Sequence, residues 1–465
     1  MAALPLNPSL HIAAARGLRI ALLLVAGISV VPLFLAFHLG AYANWILSGL
    51  FLTAGTFLLS ASRGGRNRDL FQPACLFPAV YCFWFAIGSL DVVPEMYQVS
   101  LFDLIPLRMW GYYAVGLAGY WLGMRAVGAN QLVVPRLEKP TQSWDSRRFA
   151  LAMAALTLLG TAMYISLVWK GGIPVLREDW AESRVEMGSQ NGIAFAIFLS
   201  AFWTVIPLMY AFLWTGRRDW MPRWSIYAIS AIQGLMLFSL GSRGLVFIPA
   251  VIVVILRHYL VRPWKLKTLL ALASAVFTAV GVVGYVRDYV GGNTLSDLGF
   301  PVWAEPLAPA YLYVRGPIAT FRDVSAVIGS RDMFQHGALF LSPFAVLAPG
   351  HHLSSDLFFK ALLRHSFLGF GEPATLLGVF YADFGVPGIF LGMTAVGLLA
   401  GWSYRAMGRS QSLLAALLFS YYAYVLLFSL FGTLFPYLIT LWIPLMFVAV
   451  DRFARRPSAI CGSAA

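Results

Sequence analysis

Residues 225–261 read SIYAISAIQGLMLFSLGSRGLVFIPAVIVVILRHYLV, a long apolar run interrupted once by Gly-Ser-Arg-Gly at 241–244. A helix rises about 1.5 Å per residue and the hydrocarbon core of a bilayer is about 30 Å thick, so about 20 residues cross it once. The run is too long for one crossing, and an arginine inside the lipid would cost about 2.5–3.5 kcal/mol. The stretch therefore predicts two membrane helices that meet at a tight turn.

Similar apolar runs fill most of the chain. Of its 465 residues, 60% are hydrophobic and 11% are charged, whereas a soluble domain carries roughly 25% charged residues. The excess apolar surface must face lipid, and helices satisfy their own backbone hydrogen bonds there. The sequence predicts an all-α polytopic membrane protein, a single domain over residues 1–465, with twelve spans: 18–37, 44–62, 72–90, 109–127, 149–168, 193–215, 225–240, 245–261, 268–286, 385–404, 412–431 and 435–451.

The distribution of basic residues predicts the orientation. With twelve spans and an inside N-terminus, most lysines and arginines of the short connections fall on the inner side, as in known inner-membrane proteins. Reading 225–261 as one span would invert every later connection and remove this bias. We therefore expect a bacterial inner-membrane protein with both termini in the cytoplasm. Topology and attraction to anionic lipid explain the net charge of +13, and no nucleic-acid partner is expected.

Several other features narrow the function. The first apolar run is long enough to span, so we interpret it as a helix rather than a cleaved signal. No GxxxxGK[ST] nucleotide loop occurs in the sequence, which argues against direct use of ATP. The predicted inner connections are short. Chemistry is therefore expected in two outer segments, residues 169–192 and the large loop 287–384 between spans nine and ten, which is too apolar to be disordered. Within that loop, residues 356–370 form an amphipathic stretch suited to the membrane surface.

Arginines are the notable side chains of these outer segments. A planar guanidinium suits bidentate contact with phosphate or pyrophosphate. The alternative is that each arginine pairs with a nearby acid, although several such acids are direct neighbours, which do not face one another on a helix. Arg243, in the turn of the opening stretch, has few acids nearby and is the strongest candidate. The candidates for anion binding are Arg177, Arg184, Arg243, Arg287 and Arg315.

Histidines cluster in the large loop, at residues 336, 351, 352 and 365. A neutral imidazole is suited to act as a general base toward a hydroxyl group. The spacing of these histidines matches no usual zinc-ligand pattern, so no metal is expected.

Three segments resemble the Wzy-type O-antigen polymerases, which belong to the bacterial oligosaccharide repeat-unit polymerases. GGIPVLR at 171–177, followed by acidic residues and Arg184, resembles the family's middle outer loop, and Arg177 to Gly188 fits its Arg-x10-Gly pattern. LGSRGLVFIP at 240–249 resembles its helix-breaking element. PATLLGVFYADFGVPGIFLGMTAVGLLAG at 373–401 resembles its closing signature. No Arg-x10-Gly match begins at an arginine of the large loop.

The resemblance implies a GT-C-like, metal-independent glycosyltransferase without a cofactor. Such enzymes join oligosaccharide repeat units carried on undecaprenyl pyrophosphate at the periplasmic face, to build O-antigen, capsule or exopolysaccharide. The growing chain is the donor, its lipid pyrophosphate leaves, and a new lipid-linked unit is the acceptor. A flippase and a chain-length regulator are the implied protein partners, besides membrane lipid.

On this interpretation the five arginines contact pyrophosphate, and His351 or His352 is the base, with Glu372 or Asp383 as alternatives. Asp383 could instead cap a helix that begins at Phe384. Outer aromatic residues, Tyr311 among them, could stack on sugar rings. An O-antigen ligase has a similar topology, and a twelve-helix transporter is the non-enzymatic alternative. A polyprenyl-phosphate-sugar transferase usually has an acidic pair in its first outer loop, which is absent from this sequence.

Overall fold

The structure is a computed structural model that describes residues 42–61, 69–90, 104–129, 137, 144–177, 187, 192–215, 222–240, 243–290, 305–345, 354–364, 372–432 and 439–455. These residues are almost entirely helical and contain no strand. The helices are α1 (Tyr42–Ala61), α2 (Leu76–Gly88), α3 (Leu107–Ala126), α4 (Ser146–Gly171), α5 (Gly192–Trp214), α6 (Arg223–Ser239), α7 (Arg243–Leu260), α8 (Leu266–Val290), α9 (Ala308–Arg331), α10 (Ser342–Ala345), α11 (Ser355–Leu362), α12 (Thr375–Ser410), α13 (Leu413–Phe428) and α14 (Ile439–Ala454).

Five helices among the described residues are long and apolar enough to cross a membrane. They are α1, α4, α5, α8 and α12, and α2, α7 and α13 are shorter apolar helices. Much of this apolar surface is uncovered: Leu158 of α4 is 70% exposed and Leu270 of α8 is 51% exposed. Surface of this kind is stable against lipid rather than water. The chain is therefore an all-α membrane protein.

Each apolar segment predicted from residue 44 onward coincides with a helix, whereas the first, 18–37, lies outside the described residues. The predicted break in 225–261 separates α6 from α7, and these two helices pack against each other. The count of twelve spans stays a prediction. The segment 287–384, predicted as a loop, contains the 24-residue helix α9, which charged residues and two prolines make too polar to recognise as a helix by its hydropathy.

The described residues pack as two compact units, each made of separate stretches of chain. The first unit draws on Met1–Pro135, Trp264–Gly408 and Val425–Pro436, and the second on Arg136–Pro263, Arg409–Tyr424 and Tyr437–Ala465. The first therefore contains α1–α3 and α8–α12, and the second contains α4–α7 and α14. Helix α13 begins in the second unit and ends in the first.

Glycines bring α3 and α12 into backbone contact in the first unit. A Cβ added to Gly119 would lie 2.5 Å from the Phe390 carbonyl oxygen, one on Gly123 would collide with the Thr394 carbonyl, and one on Gly397 with the Tyr120 carbonyl. Small residues spaced four apart on facing helices are a common means of close packing in membranes. These glycines therefore determine how closely α3 and α12 approach.

Helix α12 is not continuous. Phe384 (φ −144°, ψ 15°) and Gly385 (φ 66°, ψ −151°) leave the helical conformation, and a positive φ of this kind favours glycine. The chain turns sharply there. This is shown by the close approach of Gly388 to Phe380, since a Cβ on Gly388 would collide with the Phe380 carbonyl. We call residues 375–383 the N-terminal arm of α12. The Asp-Phe-Gly triplet at 383–385 is thus the sequence signal for a break between this arm and the long apolar part.

In the second unit the start of α4 is held against the end of α14. The Trp144 indole N–H donates to Asp451 Oδ1 at 2.8 Å, and Arg455 Nε donates to Asp451 Oδ2 at 2.9 Å. The Trp144 ring also stacks on Phe149, with 4.9 Å between ring centroids. Asp451 is 1% exposed, so these donors satisfy a carboxylate that would otherwise be costly to bury.

Candidate functional site

Helix α9 lies against the end of α2 and the start of α3 in the first unit. The Tyr311 hydroxyl donates to the Leu90 carbonyl at 2.7 Å, and Arg315 Nη1 donates to the Gly88 carbonyl at 2.8 Å. Further along, the Ser325 hydroxyl lies 3.7 Å from Met109 Sδ. Tyr311 and Arg315 are four residues apart and share a face of α9. Two of the predicted site residues are thereby brought together.

Arg315 is almost fully buried, at 1% exposure. Its guanidinium contacts a carbonyl in the last turn of α2, where the helix dipole concentrates partial negative charge. One task of this arginine is therefore to stabilise the end of α2. A guanidinium carries five N–H donors, so a single carbonyl does not saturate it.

Arg322 is a buried arginine of α9 that the sequence analysis did not assign to the site. It is 5% exposed, and it pairs bidentately with Asp323, with Nε–Oδ1 at 2.7 Å and Nη2–Oδ2 at 3.0 Å. The expectation that adjacent acid and base residues on a helix do not pair is therefore wrong for this doublet. Both side chains are long enough to bend toward each other at the helix surface. Seven residues separate Arg322 from Arg315, so both lie on similar faces of α9.

Two buried hydroxyls complete this group. Ser89 and Tyr113 are 0% exposed and adjacent, and Tyr113 lies within electrostatic range of both Arg315 and Arg322. The Tyr113 hydroxyl interacts with that of Ser89, and neither has a further hydrogen-bond partner among the described residues. We call Arg315, Arg322, Ser89 and Tyr113 the arginine–hydroxyl cluster. Guanidinium N–H groups and hydroxyls are donors of the kind that bind an oxyanion.

An aromatic patch lies beside this cluster. The Tyr112 ring is 5.1 Å from that of Tyr381 and 5.9 Å from that of Phe321, measured between centroids. The exposed Arg108 lies within electrostatic range of Tyr381. The patch was not predicted from the sequence, because its members come from α3, α9 and the arm of α12. Phe321 and Tyr381 are buried, so these rings pack mainly against one another.

Asp383 anchors a neighbouring turn. Its Oδ1 accepts from the Leu339 N–H at 3.1 Å and its Oδ2 from the Phe340 N–H at 2.9 Å. Its main-chain carbonyl accepts from the His336 N–H at 3.0 Å. Asp383 is 0% exposed. The carboxylate thus caps residues 335–341 rather than a helix starting at Phe384, and its bonded oxygens favour an anchoring role over a role as base.

Glu372 lies just before the arm of α12, next to another acid. Its N–H donates to the main-chain carbonyl of Asp356 at 3.0 Å, and its side chain is 9% exposed. Burial raises the pKa of the Asp356 carboxyl to about 6, against the opposing effect of a hydrogen bond from Ser355. Asp356 was missed as an acid–base candidate, because its only sequence signal was membership of an amphipathic segment.

For the remaining candidate site residues, the structure gives only the exposure or the backbone position, or does not describe the residue. Arg177 is exposed and belongs to the second unit. The backbone puts Arg243 at the first residue of α7 and Arg287 in the last turn of α8. Arg184, His351 and His352 lie outside the described residues. The expected convergence of Arg177 and Arg243 with Arg315 stays a prediction.

Among the described residues, no group of three or more histidine, cysteine, aspartate or glutamate side chains could hold a metal ion. The donors brought together by α2, α3 and α9 are instead suited to an anion. No protein-family model, curated protein or solved structure matches the chain.

Proposed function

We propose that this chain is a polymerase of undecaprenyl-pyrophosphate-linked oligosaccharide repeat units, working at the periplasmic face of the bacterial inner membrane. It would be a GT-C-like enzyme with twelve membrane helices and cytoplasmic termini, independent of metal and cofactor. The observation that carries the proposal is the arginine–hydroxyl cluster, with two buried guanidinium groups and two buried hydroxyls. Pyrophosphate is the natural ligand of such a group in a membrane protein that handles lipid-linked substrates.

The position of α9 supports the same interpretation. In the predicted topology the end of α2, the start of α3 and the end of α8 all face the periplasm. Helix α9 contacts the first two through Gly88, Leu90 and Met109, and it also packs against α8. In that topology the buried arginines would lie at the end of the unit where a flipped, lipid-linked sugar arrives.

The reaction needs charge stabilisation and one proton acceptor. The acceptor hydroxyl attacks the anomeric carbon of the donor, a new carbon–oxygen bond forms, and the bond to pyrophosphate breaks. Negative charge grows on the leaving pyrophosphate, where preorganised guanidinium and hydroxyl donors stabilise it more than they do in the ground state. The hydroxyl proton passes to a base. His351, His352 and Glu372 are the candidates, since the carboxylate of Asp383 is occupied by backbone N–H groups.

The test is a matched pair of arginine substitutions in the purified protein, supplied with lipid-linked repeat units. Arg315 and Arg405 both donate a hydrogen bond to a carbonyl at or just beyond a helix C-terminus, to Gly88 at 2.8 Å and to Val127 at 2.7 Å. Lysine can keep such a bond but cannot make a bidentate contact with pyrophosphate. We expect Arg315→Lys to slow polymer formation roughly a hundredfold to a thousandfold, the usual cost of losing one preorganised donor. Arg405→Lys should leave it unchanged.

Equal polymer ladders from both lysine variants would mean that Arg315 only caps α2.

The same assay separates the rival functions. A ligase would give no ladder without lipid A core as acceptor, and a transporter would give none under any condition.

A further inference from the structure

The segment that follows α9 carries large apolar side chains on the protein surface. Residues 333–345, which we call the apolar turn, read MFQHGALFLSPFA and contain no aspartate, glutamate, lysine or arginine. Phe384 of α12 adjoins the turn, since a Cβ on Gly337 would lie 3.4 Å from its ring. The exposed apolar side chains of this patch are Met333 (41%), Leu341 (54%), Phe344 (43%) and Phe384 (51%). Such a patch indicates contact with a membrane or with another protein.

The backbone of the apolar turn is hydrogen-bonded almost completely within the protein. From residue 335 to residue 344, every residue except Pro343, which has no N–H, donates its backbone N–H to a protein oxygen. Some of these bonds are internal, such as the one from the Leu341 N–H to the Gly337 carbonyl at 3.0 Å, and others go to Asp383. A polar backbone group left without a partner in lipid costs several kcal/mol. The turn is therefore suited to surroundings that offer no hydrogen-bond partners.

Helix α12 indicates where the apolar turn lies relative to the bilayer. Its long part has an exposed apolar stripe made of Leu391, Leu398 and Trp402, which share one face of the helix. Tryptophan is enriched at the boundary between hydrocarbon and headgroups, so Trp402 marks one boundary. From Val386 to Trp402 the helix rises about 24 Å, close to the thickness of about 30 Å of the hydrocarbon core. Phe384 and the turn beside it thus lie near the opposite boundary.

We propose that the apolar turn is an interfacial anchor: Leu341, Phe344 and Phe384 insert among the acyl chains of the leaflet in which the long part of α12 begins. That leaflet is the periplasmic one in the predicted topology. Lipid is the occupant because the patch continues the lipid-facing stripe of α12, and no charged residue occurs between Phe384 and Trp402. The anchor holds the arm of α12 at the membrane surface. It does not depend on the proposed polymerase function.

The anchor also accounts for the unusual task of Asp383. Its two carboxylate oxygens accept the Leu339 and Phe340 N–H groups, which water would satisfy in an ordinary surface loop. A carboxylate supplied by α12 is needed where water does not reach the turn.

Spin-label accessibility in reconstituted protein tests the anchor. After replacement of the native cysteines, Leu341→Cys and Phe344→Cys are made as separate variants, labelled with a nitroxide and reconstituted into vesicles of phosphatidylethanolamine and phosphatidylglycerol. Electron paramagnetic resonance then measures collision of each label with oxygen, which concentrates among acyl chains, and with a water-soluble nickel chelate. Helix α12 supplies both references. Leu391→Cys reports lipid, and Ser410→Cys, an exposed position eight residues beyond Trp402, reports water.

We expect the ratio of oxygen collision to nickel collision at positions 341 and 344 to be severalfold higher than at 410 and similar to that at 391. A ratio equal to that at 410 would show that the turn lies in water and would overturn the proposal. Weak collision with both reagents would show that protein covers the patch, which would overturn the contact with lipid. Because the two positions are measured in separate variants, a variant that fails to fold leaves the other as the test.

Discussion

At the scale of single residues, Asp383 is a buried carboxyl group whose oxygens are hydrogen-bonded by main-chain N–H groups. Both oxygens accept backbone N–H bonds from the turn after α9, at 3.1 and 2.9 Å. An amide at this position would keep one acceptor and place an N–H group against another N–H. A buried donor left without an acceptor costs about 1–3 kcal/mol. The two acceptor oxygens of Asp383 are thus needed for the fold of residues 335–341.

We therefore expect Asp383→Asn to lower stability by about 1–3 kcal/mol, measured by thermal unfolding in detergent. The same change at Asp332 is the control. That residue is exposed and left-handed, with φ 52°, a conformation that asparagine accepts as readily as aspartate. Polymerisation per folded molecule should remain within about twofold in both variants, well short of the loss on removing a general base. A normal unfolding temperature with no polymer from Asp383→Asn would instead identify Asp383 as the base.

At the scale of helices, the close crossing of α3 and α12 depends on glycines whose neighbours are backbone atoms. Carbonyl oxygens of Phe390, Thr394 and Tyr120 occupy the space that a side chain would need. A neighbouring side chain can rotate away from an added methyl group, whereas a backbone in a helix cannot. The helices must then separate along their whole contact.

Gly123→Ala should accordingly destabilise the protein by about 3 kcal/mol, at the upper end of the usual cost of overpacking. Gly111→Ala, on the same helix, meets nothing within 4 Å and should be neutral or stabilising by up to about 1 kcal/mol through helix propensity. Unfolding by denaturant in mixed micelles measures both. Equal stability of the two variants would show that the crossing tolerates separation.

The helices themselves were predictable and the site was only partly so. Apolar runs of sufficient length identify membrane helices such as α5 without further information, and the Gly-Ser-Arg-Gly interruption correctly separated α6 from α7. Helix α9 was missed because its arginines and prolines lower its hydropathy, although its burial depends on pairing those charges with Asp323 and Gly88. Ser89 and Tyr113 carry no sequence signal, since their role follows from the position of α9.

At the scale of the whole chain, the side of the membrane that a segment faces depends on whether the number of spans before it is odd or even. If 225–261 forms two spans, residues 291–304 face the periplasm. If it forms one span, they face the cytoplasm. The structure separates α6 from α7, which supports the first arrangement.

Cysteine labelling in intact cells measures this directly. After replacement of the native cysteines at 75, 82 and 461, we expect Ser296→Cys to react with a membrane-impermeant maleimide added outside. Ser143→Cys, on the predicted inner side before α4, should react only after the cells are opened. The reverse pattern at residue 296 would require an even number of spans between the two positions and would move the long segment to the cytoplasm.

The glycine-lined crossing also constrains how the protein is made. Helix α3 emerges from the ribosome long before α12, because all of α4–α11 lies between them in the sequence. Until α12 follows, the carbonyl and glycine surface of α3 has no helix to meet and is in contact only with lipid. The helices of the second unit are inserted during this interval. Completion of the first unit is therefore a late event of biosynthesis. A chain that stops before residue 375 would lack α12, and the surface of α3 that α12 covers would stay exposed to lipid.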